Sequence, residues 1–179
     1  MAGDNITVSN AGDGTSSGAG VNASGSGIKA RLAELGIELP QVAAPVAAYV
    51  PAALVGNQVW TSGQLPFVDG ELPATGKVGA EVSAEDAYTY ARTALLNALA
   101  AVDSVVDLEK ITRVVKVVGY VASEGGFTGQ PGVVNGASEL VGEIFGEAGA
   151  HVRSAVGVAV LPLDAPVEIE LIVEVSDAS

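Results

Sequence analysis

Arg153 opens a run in which Arg153, Ala155, Gly157, Ala159 and Leu161 alternate with Ser154, Val156, Val158 and Val160. A period of two belongs to a strand, so one face gathers an arginine and small residues while the other is bulky. A guanidinium presents a planar fork of donors that a carboxylate accepts two at a time, and Ala155 and Gly157 leave room for such a ligand beside it. The competing reading is an ion pair with a glutamate of the neighbouring strand, Glu174 if the intervening turn sets the register. Glu168, Glu170 and Glu174 share a face of that next strand. Each is either a solvated surface carboxylate or, within reach of a water, a general acid/base.

Other chemistries find little to work with. His151 is the single histidine and cysteine is absent, so no His/Cys metal cluster can be assembled, and no carboxylate spacing suggests a hard-cation site. No metal is expected. The glycines never fall into a dinucleotide or phosphate-loop pattern at a strand-to-helix junction, so no nucleotide cofactor is implied. Eight Lys+Arg against 21 Asp+Glu give a formal charge of −13, whereas a phosphate backbone is bound by neutralising it with basic side chains. Nucleic acid is a poor partner, and the acidity reads as a surface that keeps a Val/Ala-rich chain in solution.

These side chains need a scaffold, and 179 residues suit one domain. Residues 1–27 hold seven Gly and five Ser with no Lys, Arg, Leu or aromatic residue. Such a segment cannot bury enough apolar surface to offset the entropy of ordering, so a disordered Gly/Ser-rich tail is expected there and a single folded domain over 28–179. Ile28 to Leu35 predicts a short amphipathic helix ending at Gly36. Tyr49–Val55 and Gln58–Ser62, separated by Gly56-Asn57, predict a β-hairpin. Ser83 and Asp86 form a weak cap before Ala87, Ala91, Ala94, Ala98 and Val102, whose spacing predicts a helix over 84–104. Ile111–Ala122 is a β-branched strand, and 123–132 a flexible stretch. Ala137, Leu140, Val141, Ile144, Phe145 and Ala148 trace a second long helix that Gly149 closes.

The last third predicts two strands joined by the turn Leu161–Pro166. In Val167–Val175, Val167, Ile169, Leu171, Val173 and Val175 form the apolar face. With the valine faces of both strands under the helices, the opposite face would carry Arg153 together with the glutamates and meet water or another subunit. Antiparallel pairing about the turn would set Glu170 nearer Gly157 than Arg153. The order β-β-α-β-α-β-β with two helices on one face of a mixed sheet is an α+β sandwich. The apolar run Val42–Val55 is broken by Pro45 and Pro51 and falls short of a membrane span. The start Met1-Ala-Gly-Asp lacks the features of a secretion signal, which makes a soluble cytoplasmic protein the expectation.

Thr61-Ser-Gly-Gln-Leu-Pro66, Val134-Asn135, and Arg153-Ser-Ala-Val-Gly-Val-Ala-Val-Leu-Pro162 followed by Val167-Glu-Ile-Glu170 resemble the signatures of the RidA/YjgF reactive-intermediate deaminases in order and spacing. The resemblance covers residues from about 45 to 175. It implies a chorismate-mutase-like fold, a homotrimer with sites between adjacent subunits, no cofactor, and hydrolysis of small enamine or imine carboxylates of the 2-aminoacrylate type to 2-keto acids and ammonia. On this resemblance Arg153 grips the substrate carboxylate and Glu170 positions or activates water. Asn135 turns its amide toward the ligand, Ser62 and Gly63 offer a hydroxyl and a backbone N–H, Tyr49 lines the pocket, and Ala155 stands where many relatives carry Cys. Blander readings stand beside these: Asn135 as a first-turn residue, Ser62-Gly63 as turn chemistry, and Tyr49 as a core tyrosine with a wet hydroxyl. At the level of the whole protein, the alternative is a non-catalytic trimer that binds a small carboxylate as a regulatory module. An endoribonuclease or a chorismate-mutase-like isomerase is a further possibility.

Overall fold

The computed structural model describes residues 27–42 and 48–176; apart from Gly27, the expected tail lies outside the described residues. The alternating pattern of Val167–Val175 (β5) is realised residue by residue, with Val167, Ile169, Leu171, Val173 and Val175 buried and the residues between them half-buried. Burying each such side chain stabilises the fold by about 1.5–3 kcal/mol, which fixes the strand's register because a one-residue slip would exchange its faces. β5 lies at the centre of a five-stranded sheet of order β1-β2-β5-β3-β4. The other strands are Ala52–Val55 (β1), Gln58–Thr61 (β2), Ile111–Ala122 (β3) and Val152–Val158 (β4). β1 and β2 form the expected hairpin, with Val55 opposite Gln58 and Gly56 at φ +62°, an angle that suits a residue without Cβ.

Two long helices, Ala84–Asp103 (α2) and Gln130–Phe145 (α3), cover one face of the sheet, and a shorter one, Ile28–Glu34 (α1), packs outside them. Ser83 caps α2 by accepting from the Asp86 N–H at 3.0 Å. Alanines 87, 91, 94 and 98 then line its buried side, and their small size lets the helix sit close to the sheet. Arg92 donates to both carboxylate oxygens of Glu143, at 3.1 and 3.0 Å, and so ties α2 to α3. α1 is held by Ile28 and Leu32 in the core and by Glu109, which accepts from the Ile28 and Lys29 N–H groups at 3.0 and 2.9 Å.

α2 and α3 come into close contact at Gly136, where a Cβ would collide with the Tyr88 carbonyl oxygen. Gly136→Ala should therefore destabilise the protein. Helix propensity favours alanine by about 0.8–1.0 kcal/mol, but overpacking against rigid backbone costs about 1–3 kcal/mol. The melting temperature is expected to drop by several degrees, and a rise on thermal unfolding would show that the helices can part at no cost.

Several expectations need correction. The first strand begins at Ala52 rather than Tyr49, because Ser62 holds the preceding segment as a turn, donating from its hydroxyl to the Val50 carbonyl at 2.7 Å. α3 starts at Gln130, inside the stretch read as flexible, and ends at Phe145. Gly146, not Gly149, stops it by taking φ +57°, and a 3-10 turn Gly146–Gly149 follows. The largest correction concerns β4, which pairs in parallel with β3 and not with β5; β3 stands between them. Parallel neighbours need a crossover, and α3 is that crossover.

Candidate active site

The registers decide which side chains share a face. Val117, Gly119 and Val121 of β3 lie opposite Leu171, Ile169 and Val167 of β5, all under the helices. Their parallel partners on β4 are Arg153, Ala155 and Gly157. Arg153 therefore stands on the helix side of an edge strand, whereas Glu168, Glu170 and Glu174 point to the uncovered face, aligned with Tyr120, Val118 and Arg113. The expectation that Arg153 and the glutamates share a face is wrong, because the bulky alternate residues of β4 face outward: Val152 and Val156 are exposed. Glu170 lies opposite Val118 rather than near Gly157. Nor does Glu174 pair with Arg153; it takes Arg113, whose Nε donates to it at 3.0 Å.

Arg153 is anchored to α3. One terminal nitrogen, Nη1, donates to the Asn135 side-chain oxygen at 2.7 Å and to the Ser138 hydroxyl oxygen at 3.2 Å. Asn135 and Ser138 are three residues apart, one helical turn, and so present both acceptors on the same side. Both hydrogens of Nη1 are committed to the helix, while Nε and Nη2 have no partner among the described residues. An edge-on pair of donors on an exposed cation is what a carboxylate accepts. Gly119 beneath the helix admits Val134 where a Cβ would collide, which brings α3 close enough for Asn135 to reach Arg153. Ser138, one turn beyond Asn135, was not singled out in the sequence, and His151, two residues before the arginine, was weighed there only as a metal ligand; the i, i+3 spacing is the signal that could have found Ser138.

The uncovered face holds a second cluster. The Glu168 carboxylate sits directly over Gly63, leaving no room for a Cβ there. Burial, and secondarily the charge of Glu170, push its carboxyl above the usual range. Tyr120 is likewise raised, first by burial and then by Glu170 and Glu168. The Gly63 N–H has no acceptor among the described residues, and the Ser62 hydroxyl donates to Val50, leaving its lone pairs. Tyr49 is 48% exposed and outside the strands, so it is not a core tyrosine.

A carboxyl whose folded value is raised is destabilising when ionised, an effect absent below the unfolded value and complete above the folded one. Glu168→Gln should thus stabilise the fold at neutral pH, and the gain should fade as the pH falls toward about 4, the model-peptide value for Glu, and be absent below it. Urea melts of both proteins across that range check this; equal stability at neutral pH would mean that Glu168 is fully hydrated.

Comparison with known proteins points one way. A family model described as "YjgF/chorismate_mutase-like, putative endoribonuclease" matches residues 29–175. Protein TCP17 of Trypanosoma cruzi is 42% identical over 152 residues, covering 84% of this chain and 95% of that protein. A crystal structure of an Agrobacterium tumefaciens protein of unknown function superposes with a TM-score of 0.77 at 45% identity, covering 83% of this chain and 92% of the other. Escherichia coli TdcF, solved with bound serine, superposes with a TM-score of 0.55 at 26% identity, covering 76% of this chain and 94% of its own.

Proposed function

We propose that this chain, which belongs to the YjgF/chorismate mutase-like family, hydrolyses small reactive enamine or imine carboxylates of the 2-aminoacrylate type. The observation that carries this reading is the exposed Arg153 guanidinium, tied to α3 through Nη1 and leaving Nε and Nη2 without a partner among the described residues. A bound amino acid in E. coli TdcF supports a small carboxylate as ligand. In the reaction, the enamine gains a proton at its terminal carbon and loses one from nitrogen to become the imine. Water aligned by Glu170 adds to the imine carbon, nitrogen is protonated, and ammonia leaves the 2-keto acid. Arg153 holds the carboxylate, which is unchanged throughout. Because such intermediates hydrolyse unaided, positioning and modest acid/base help suffice.

Within one chain Arg153 and Glu170 occupy opposite faces of the sheet. The catalytic unit is therefore read as a homotrimer in which Arg153 and Asn135 of one subunit meet Ser62, Gly63 and Glu170 of another. The uncovered face supports association, since Trp60, Val152 and Val156 expose 49%, 65% and 43% of their surface, apolar area that a second subunit would cover. The same separation favours a second reading if the chain stays monomeric: Arg153 alone would then make a carboxylate-binding module without catalysis. Ribonuclease activity, present in the family's description, is disfavoured by a charge of −13. Ammonia release from imino acids generated in situ by an amino acid oxidase, with and without the protein, tests the proposal. Acceleration with trimers in light scattering supports it; carboxylate binding without acceleration supports the second reading.

A further inference from the structure

We infer that Ser138 and His151 set the orientation of the Arg153 guanidinium, acting as positioning residues for the carboxylate clamp; this rests on the clamp reading above. The argument follows the direction of each hydrogen bond. His151 Nδ1 lies 2.6 Å from the Gly149 carbonyl oxygen. A carbonyl only accepts, so Nδ1 carries the proton, and in the neutral ring Nε2 is then a bare acceptor. The Ser138 hydroxyl, 3.0 Å away, donates to Nε2. Its oxygen keeps its lone pairs for Arg153 Nη1 at 3.2 Å. Gly149, His151, Ser138 and Arg153 thus form one chain in which each donor has an acceptor. Without His151, the serine hydroxyl would be free to turn back toward the helix carbonyl one turn earlier.

The consequence for function is specific. The substrate carboxylate is the same in ground and transition states, so loosening its clamp removes binding equally from both. That raises KM and leaves kcat. Ser138→Ala and His151→Phe are expected to raise KM for the imino acid, and Kd for pyruvate used as a simple carboxylate probe, by about 3- to 10-fold. Ser138→Thr, which keeps a hydroxyl, should restore both. A role confined to stability would lower the melting temperature and leave KM and Kd at their original values, and that result overturns the inference.

A readout independent of turnover is rotation of the guanidinium about its Cζ–Nε bond, followed by nitrogen-15 NMR of Arg153 in the full chain. Rotation should be slow in the original protein and in Ser138→Thr, and faster in Ser138→Ala. Equal rotation in Ser138→Ala refutes the inference even where Arg153→Ala abolishes pyruvate binding. If the original protein binds no pyruvate and hydrolyses no imine, the proposed function fails, while the rotation rates still decide whether Ser138 and His151 hold the arginine.

Discussion

Replacing Arg153 with Lys should lower kcat/KM for imino-acid hydrolysis by about 100-fold or more, nearly as far as replacement with Ala. Lysine keeps the charge, so simple attraction would survive the change. What it lacks is geometry. Nη1 of Arg153 has both hydrogens bound to α3, at Asn135 and Ser138, and the substrate is met by a second, separate edge of the same rigid plane. A compact ammonium on a flexible stem cannot serve both edges at fixed spacing. Hydrogen bonds to charged groups contribute about 1.5–3 kcal/mol each, and about 1.4 kcal/mol is a factor of ten, so loss of the two-donor grip accounts for the predicted drop. If Arg153 served only to hold α3 on the sheet edge, Lys should retain most activity and Ala should chiefly lower stability, by about 1 kcal/mol or less for an exposed contact. Measuring hydrolysis and pyruvate binding on correctly folded mutant protein separates the two; near-normal kinetics in Arg153→Lys would remove the carboxylate clamp.

That contrast also shows how far the residues alone can be read. β3 and β5 were legible to their end residues, because each is a long β-branched run; in β5 the apolar positions repeat strictly and burial follows them, whereas register shifts break the repeat in the first half of β3. α2 was legible for the same reason, with a cap that the structure realises. β4 was legible as a strand, but its facing was not, since it is an edge strand with small residues on the helix side and valines on the open side. Its hydrophobic pattern points the wrong way for the fold. The valines at 156 and 160 read as core residues, yet they are exposed. The misplaced partner strand followed from this, because a tight Pro-containing turn suggests antiparallel neighbours, while the parallel crossover through α3 is a long-range choice with no local signal. Asn135 was found through its motif. Ser138 and His151 escaped because their bearing on Arg153 depends on α3 lying over β4, an approach that Gly119 permits by its lack of a side chain.

Replacing Glu170 with Gln should leave pyruvate binding within about 2-fold of the original and lower kcat, because the amide fills the same space but can neither take up nor deliver a proton at the water. General acid/base assistance is worth about 10²–10⁴-fold, and the spontaneous hydrolysis of these imines limits how much of that range can be observed. The change reaches its neighbours as well. The charge of Glu170 helps to raise both Glu168 and Tyr120, so its removal should bring each of them down toward its ordinary value. Burial is the larger cause in both, so neither should return fully. The Glu168 carboxylate will then ionise at lower pH in Glu170→Gln, and the destabilisation it causes when ionised should be smaller and complete at lower pH. Two measurements on one variant thus test separate claims: steady-state kinetics for the water-activating role, and carbon-13 titration of the Glu168 carboxyl for the coupling across the open face. Unchanged kcat would return Glu170 to the status of a strand-face carboxylate beside Glu168. An unshifted Glu168 titration would mean that the two carboxylates are screened from one another by solvent, and that the open face is wet in the assembled protein.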